Sequence, residues 1–297
     1  MPEDWPIPDE LLRKEAGRIS ARYRVSAEDA LAALAEVFAG NPKLADRIRR
    51  RHGHEDVTRW HDYREAVKKC RKQVYYDLRR YYPEGDSADR LVDEFEREVA
   101  GPARAARVEE LRLALLGLHT STRERSAQYA EFTERFFELA GSPATLLDVG
   151  CGMHPLSYPF EGAGSATRRY VALDKDRRAI RALSAYARLV GPGRLVVVRA
   201  RLEEPGWLDE VPSTGAFDLA VMLKVVPVVN RLDRSAVQRL QGLPARRILL
   251  TGSAGSMTRR EDIEARERAV LQRFIEGSGR RVVGEFRAGD EFGYLVE

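Results

Sequence analysis

Two spacings of apolar residues divide the chain. In its first part apolar side chains return every three or four positions, the period of an amphipathic helix. In VSAEDALAALAEVFAGNP (25–42), Leu31, Leu34, Val37 and Phe38 mark one face. Ser26 stands where an N-cap would, with Asp29 three residues on in capping-box style. Gly40, Asn41 and Pro42 are predicted to end that helix. A second helix is predicted over 58–82, TRWHDYREAVKKCRKQVYYDLRRYY. Its buried stripe is Trp60, Tyr63, Val67, Val74 and Leu78; Arg64, Lys68, Lys69, Arg71 and Lys72 fall mostly outside. PEGDSAD (83–89) reads as a turn, and a third helical stretch follows it.

From residue 145 the period shortens. TLLDVG, RYVALD, RLVVVRA, FDLAVML, RRILLTG, RRVVGEF and FGYLVE are β-rich runs. Helical patterns lie between them: DRRAIRALSAYARLV, RLDRSAVQRLQ and TRREDIEARERAVLQRFIEGSG. This alternation predicts an α/β fold, a mostly parallel sheet covered by helices on both faces. RAGDE is too short to cross between parallel strands, so the last two strands are expected to form an antiparallel hairpin. A mainly parallel sheet with an antiparallel last strand is the Rossmann-like layout of S-adenosylmethionine-dependent methyltransferases. The expected organisation is an N-terminal helical domain, 1–110, and a catalytic domain, 111–297.

Composition narrows the class. The 297 residues are 43% hydrophobic and 32% charged, enough apolar residues for a sizeable core and a polar enough surface for a soluble protein. No apolar run approaches the roughly 20 residues that cross a bilayer. The opening MPEDWPIPDELLRKE is acidic and has no apolar core like that of a signal peptide. Cys70 and Cys151 alone make neither a disulfide framework nor a metal site. These features lead us to expect a cytoplasmic protein without a membrane partner or a bound metal. Net charge is only +4, but between residues 43 and 80 there are 13 Lys and Arg against 6 Asp and Glu. Such clustering is the electrostatic footprint of a polyanion partner, and equally that of a solvated helix face.

The chemistry gathers at the first strand of the sheet. Gly150 and Gly152 follow it in LLDVGCGMHPLSYP (146–159), where open α/β sheets bind ligands. Asp148 precedes them and could order the loop or meet the ammonium of a methionine moiety. Asp174 ends the second strand, at the spacing of an acid that accepts ribose hydroxyls. The competing structural role for Asp174 is to cap the helix that follows. NAD and S-adenosylmethionine both carry that ribose, so Asp174 does not choose between them. The loop argues against a dinucleotide: a pyrophosphate needs free N–H groups at a helix start, and Pro155 has none.

With these segments in hand, the sequence resembles the aminoglycoside-resistance 16S rRNA (guanine-N7) methyltransferases. LHTSTRER (118–125), LLDVGCGMHPL (146–156), ALDKD (172–176) and LKVVPVVNR (223–231) occur in that family's order and spacing. The resemblance covers about residues 111–297 and implies transfer of a methyl group from S-adenosylmethionine to guanine N7 in the small ribosomal subunit. Arg125 should meet the methionine carboxylate, Asp148, Gly150 and Gly152 should shape the methionine pocket, and Asp174 should hold the ribose. Lys175 and Leu202 should complete the cofactor site, and Lys224 should stand at its mouth as the catalytic residue. The basic N-terminal part, with Lys68, Lys69, Arg71 and Lys72, should dock on ribosomal RNA. A monomer is expected.

The chain departs from the family at defined places. His154 replaces an asparagine, Arg201 stands near the site of an adenine-binding aspartate, and Asn230 replaces a glutamate. Glu203 and Glu204 could serve the adenine only if their loop shifts. TGSAGSMTRRED (251–262) is a weak match to the segment that shapes the target site. A divergent relative with another RNA target, or a non-catalytic RNA-binding relative, is the alternative reading.

Overall fold

The structure is a computed structural model. It describes residues 5–23, 25, 27–75, 87–102, 105–118, 120–125, 128–191, 193–212, 215–255 and 260–297. Ser26, Leu78 and the greater part of PEGDSAD lie outside them. The chain divides into two compact units, 1–88 and 89–297.

The first unit holds α1 (Asp9–Tyr23), α2 (Ala27–Ala39), α3 (Pro42–Arg51) and α4 (His61–Val74). Leu12, Ile19, Leu34, Phe38, Ile48 and Val74 are fully buried between them. The Gly40-Asn41-Pro42 stop signal is also a start: the Asn41 side chain accepts from Leu44 N–H and Pro42 opens α3. A proline is well placed there, because a first-turn N–H has no helical partner to lose. The predicted 58–82 helix is interrupted. Residues Val57–Arg59 form a 3-10 turn capped by Asp56, Trp60 is extended, and α4 begins at His61. Tyr63, Val67 and Val74 face inward as expected, while Trp60 is only partly buried and is covered by the Arg47 guanidinium at 4.7 Å.

The second unit runs α5 (Ser87–Ala100), α6 (Ala105–Leu118), α7 (Thr120–Arg125), α8 (Tyr129–Ala140), then β1 (Thr145–Val149), β2 (Arg169–Asp174), α9 (Arg177–Val190), β3 (Leu195–Arg199), β4 (Phe217–Leu223), α10 (Val225–Leu232), α11 (Arg234–Gln241), β5 (Ala245–Ser253), α12 (Arg260–Ser278), β6 (Val282–Ala288) and β7 (Glu291–Val296). The strands form one sheet in the order β3-β2-β1-β4-β5-β7-β6. β1 to β5 are parallel, and β7 enters antiparallel between β5 and β6. All seven predicted strands are present, and the last two form the expected hairpin. Leu147, Val171, Ala220 and Ile248 are fully buried along the sheet, as strands covered on both faces require.

VVPVVNRL forms α10, a helix the apolar pattern does not announce. Pro227 and four valines favour extended backbone, but the proline falls in the first turn, where its missing N–H costs nothing. Strand order reverses between β1 and β4, which opens a crevice at their carboxyl ends.

Candidate active site

The β1–α loop turns sharply because two glycines take left-handed backbone, φ +66° at Gly150 and +52° at Gly152. A Cβ on Gly150 would lie 2.8 Å from Val225 Cγ2, so the residue is needed for space as well as conformation. The Gly150 and Cys151 amides donate to Leu173 O, and the Gly152 amide donates to Asp174 Oδ2 at 2.7 Å. Asp174 Oδ1 accepts from the Asp176 amide at 2.8 Å. The N-cap of α9 is Asp176, not Asp174. The capping role weighed for Asp174 is thus filled by its neighbour. Burial, then the nearby Asp176 charge, push the Asp174 carboxyl up to about 6.

Asp148 is fully buried. Its Oδ2 accepts from the Tyr170 hydroxyl at 2.5 Å and lies 2.8 Å from His154 Nδ1. Its Oδ1 is buried with no hydrogen-bond partner among the described residues. His154 is buried too, edge-on to Phe132. His154 is therefore a brace for Asp148. Both cysteine thiols are pushed up by burial, Cys70 to about 12, which leaves neither as a ready nucleophile.

Arg125 closes α7, and within that helix the Thr122 hydroxyl donates to Leu116 O at 2.6 Å. Its buried guanidinium forks onto Glu291, with Nε to Oε2 at 2.6 Å and Nη2 to Oε1 at 3.1 Å, and lies over the Phe132 ring. Lys224 Nζ approaches the same Glu291 Oε2 at 3.8 Å. Lys224 caps α10 with φ +63°, the one non-glycine residue with positive φ among those described. Such backbone persists in a lysine only where the surroundings enforce it.

Lys175 is half-buried and pairs with Glu203 Oε1 at 3.4 Å, while Glu203 Oε2 is buried without a partner among the described residues. Leu202 is buried in the same loop after β3. Arg201 is half-buried beside it. Asp148, Gly150, Gly152, Asp174, Lys175, Leu202 and Lys224 thus all lie at or just beyond the carboxyl ends of β1 to β4. Arg125 comes from α7 and reaches the start of β7. Lys68, Lys69, Arg71 and Lys72 belong to the first unit, on α4. Lys68, Lys69 and Lys72 are exposed; Arg71 is half-buried and lies 3.5 Å from Glu15. Among the described residues no group of side chains could hold a metal ion, and no helix is long and apolar enough to cross a membrane.

Sequence reading missed Tyr170, Thr251 and Glu291. The signal for Glu291 was present, an acid opening the otherwise apolar EFGYLV, but its partners are remote in sequence.

The ribosomal RNA methyltransferase (FmrO) family matches residues 20–273 of the chain. A 16S rRNA (guanine(1405)-N(7))-methyltransferase of Proteus mirabilis is 25% identical over 242 residues, 78% of this chain and 84% of that protein. In fold the chain is similar to the 16S rRNA methyltransferase RmtF, solved in complex with S-adenosyl-L-homocysteine. The TM-score is 0.62 at 23% identity, covering 90% of this chain and 97% of that one. It is also similar to the 16S rRNA methylase RmtB, with a TM-score of 0.59 at 19% identity over 96% and 98% of the two chains.

Proposed function

The chain belongs to the FmrO family of ribosomal RNA methyltransferases, and from that premise we propose that it methylates guanine N7 in the 16S rRNA of the small ribosomal subunit. The match of the family to residues 20–273 carries the reading, and the glycine turn tied to Asp174 at the switch point of the sheet is its proposed cofactor site. The name of the Proteus mirabilis relative supports the choice of atom and RNA.

The residues present fit S-adenosylmethionine. Asp148 Oδ1 is a buried carboxylate oxygen with no donor among the described residues, as suits an ammonium. Arg125 offers a guanidinium to a carboxylate. Asp174 accepts ribose hydroxyls, with Lys175 and Leu202 beside the nucleoside, and Glu203 Oε2 is an acceptor for the adenine amine. That last role would stand in for the adenine-binding aspartate, whose place Arg201 occupies here. When bound, S-adenosylmethionine supplies a methyl group already activated on a sulfonium.

Guanine N7 bears a lone pair and no proton, so the protein need not supply a general base. Its work is to bind and align, and positioning of this kind carries most of such a rate. Lys224 lies at the pocket mouth, where it orients the incoming base. N7 faces the narrow major groove of an RNA helix, so the target base is flipped out. The exposed lysines of α4 contact the RNA backbone, with Arg71 adding to the same face. The protein acts as a monomer in the cytoplasm.

Purified protein with labelled S-adenosylmethionine and small ribosomal subunits tests the reading. Label should enter 16S rRNA; a chain that labels no RNA offered to it is not a methyltransferase of this kind.

A further inference from the structure

Glu291 is 2% exposed and engages three elements at once. Its carboxylate takes the Nε–Nη2 edge of Arg125. The Thr251 hydroxyl donates to its Oε1 at 2.5 Å, and Lys224 Nζ lies 3.8 Å from its Oε2. Thr251 in turn accepts the Lys224 amide proton at 3.0 Å. One acid therefore links the guanidinium at the end of α7 to both the side chain and the left-handed backbone of the lysine that follows β4.

Charge and geometry say what this linkage does. A buried cation without a partner is costly, and two of them in one place more so. Glu291 offsets one charge of the pair. A guanidinium has two forked edges, and Glu291 uses one of them. Nη1 belongs to the edge that Glu291 does not engage.

From this we infer that Glu291 is a positioning residue: it fixes the Arg125 fork for the methionine carboxylate and holds Lys224 in its left-handed conformation. The inference rests on the proposed binding of S-adenosylmethionine, and it makes the C-terminal hairpin part of the cofactor site.

The test compares S-adenosylhomocysteine with 5′-methylthioadenosine, which keeps the nucleoside and lacks the amino-acid carboxylate. Both are titrated calorimetrically into the full chain. Glu291→Gln should weaken S-adenosylhomocysteine by about tenfold to a hundredfold, the range of a charge-assisted hydrogen bond, and leave methylthioadenosine unchanged. Thr251→Val, which keeps every charge, should shift affinity in the same selective way by a smaller factor, and serves if Glu291→Gln does not fold. Equal losses for both ligands would reduce Glu291 to a structural ion pair. Tighter S-adenosylhomocysteine binding would make it a competitor for Arg125. Unchanged affinity for both ligands would also overturn the inference. A wild-type chain that binds neither ligand would remove the reading beneath it, a result distinct from these.

Discussion

Asp174 Oδ2 accepts the amide proton of Gly152 at 2.7 Å, so the acid that ends β2 holds the turn that follows β1. The same carboxylate is the proposed ribose acceptor, which couples the shape of the loop to its ligand. Its carboxyl is pushed up to about 6, first by burial and then by Asp176. A raised carboxyl favours the protonated fold, so the stability from this group is full below the unfolded carboxylate value and is lost as pH rises through about 6. Ligand binding runs the other way, because ribose hydroxyls donate to the ionised form. Affinity for S-adenosylhomocysteine should fall about tenfold per pH unit below that value. Asp174→Asn should bind weakly and flatten the profile. Calorimetry through this pH range checks it, and a flat wild-type profile would count against the assignment.

Gly150→Ala should damage both fold and loop. Its φ of +66° costs an L-residue about 1–2 kcal/mol. The new Cβ would also press on Val225 Cγ2. Adding Val225→Ala removes the obstructing methyl and should recover part of the loss. Denaturant midpoints of the two single variants and the double variant measure this. No recovery would mean that backbone strain, not crowding, is the whole effect.

Tyr170→Phe deletes the hydroxyl that donates to Asp148 and leaves a buried carboxylate with one donor fewer. A loss of about 1–3 kcal/mol is expected. An unchanged melting temperature would show that the His154 ring satisfies Asp148 alone.

Reversing Lys68, Lys69 and Lys72 to glutamate should weaken binding to small subunits and flatten its salt dependence, with cofactor affinity intact. Arg71 is best left in place. It lies 3.5 Å from Glu15, and Arg71→Glu would set two acids together in the first unit. Equal subunit affinity at low and high salt would return α4 to the role of a solvated face.

The sheet was legible because its strands are apolar runs between clear helices, and RAGDE is too short for anything but a hairpin. The candidate cofactor loop was legible because a glycine pair and an acid at a strand end are local features. What escaped reading was set by residues that serve two elements at once or by contacts at long range. Asn41 and Pro42 both end one helix and begin the next. Pro227 sits in the first turn of α10, a helix the apolar pattern does not announce. Glu291 finds Arg125 at a separation of 166 residues, a pairing that no local spacing can express. His154 looked like a departure in the loop and proves to brace Asp148.

Transfer of a methyl group to guanine N7 of 16S rRNA leaves a chemical mark on the RNA. The most direct measurement is position mapping on small subunits incubated with the protein and S-adenosylmethionine. N7-methylguanosine makes the RNA chain cleavable by borohydride and then aniline. One new cleavage is expected at a guanine of 16S rRNA, lost with Asp174→Ala. Methyl transfer to a different atom or a different RNA, or no transfer by a chain that binds the cofactor, would contradict it.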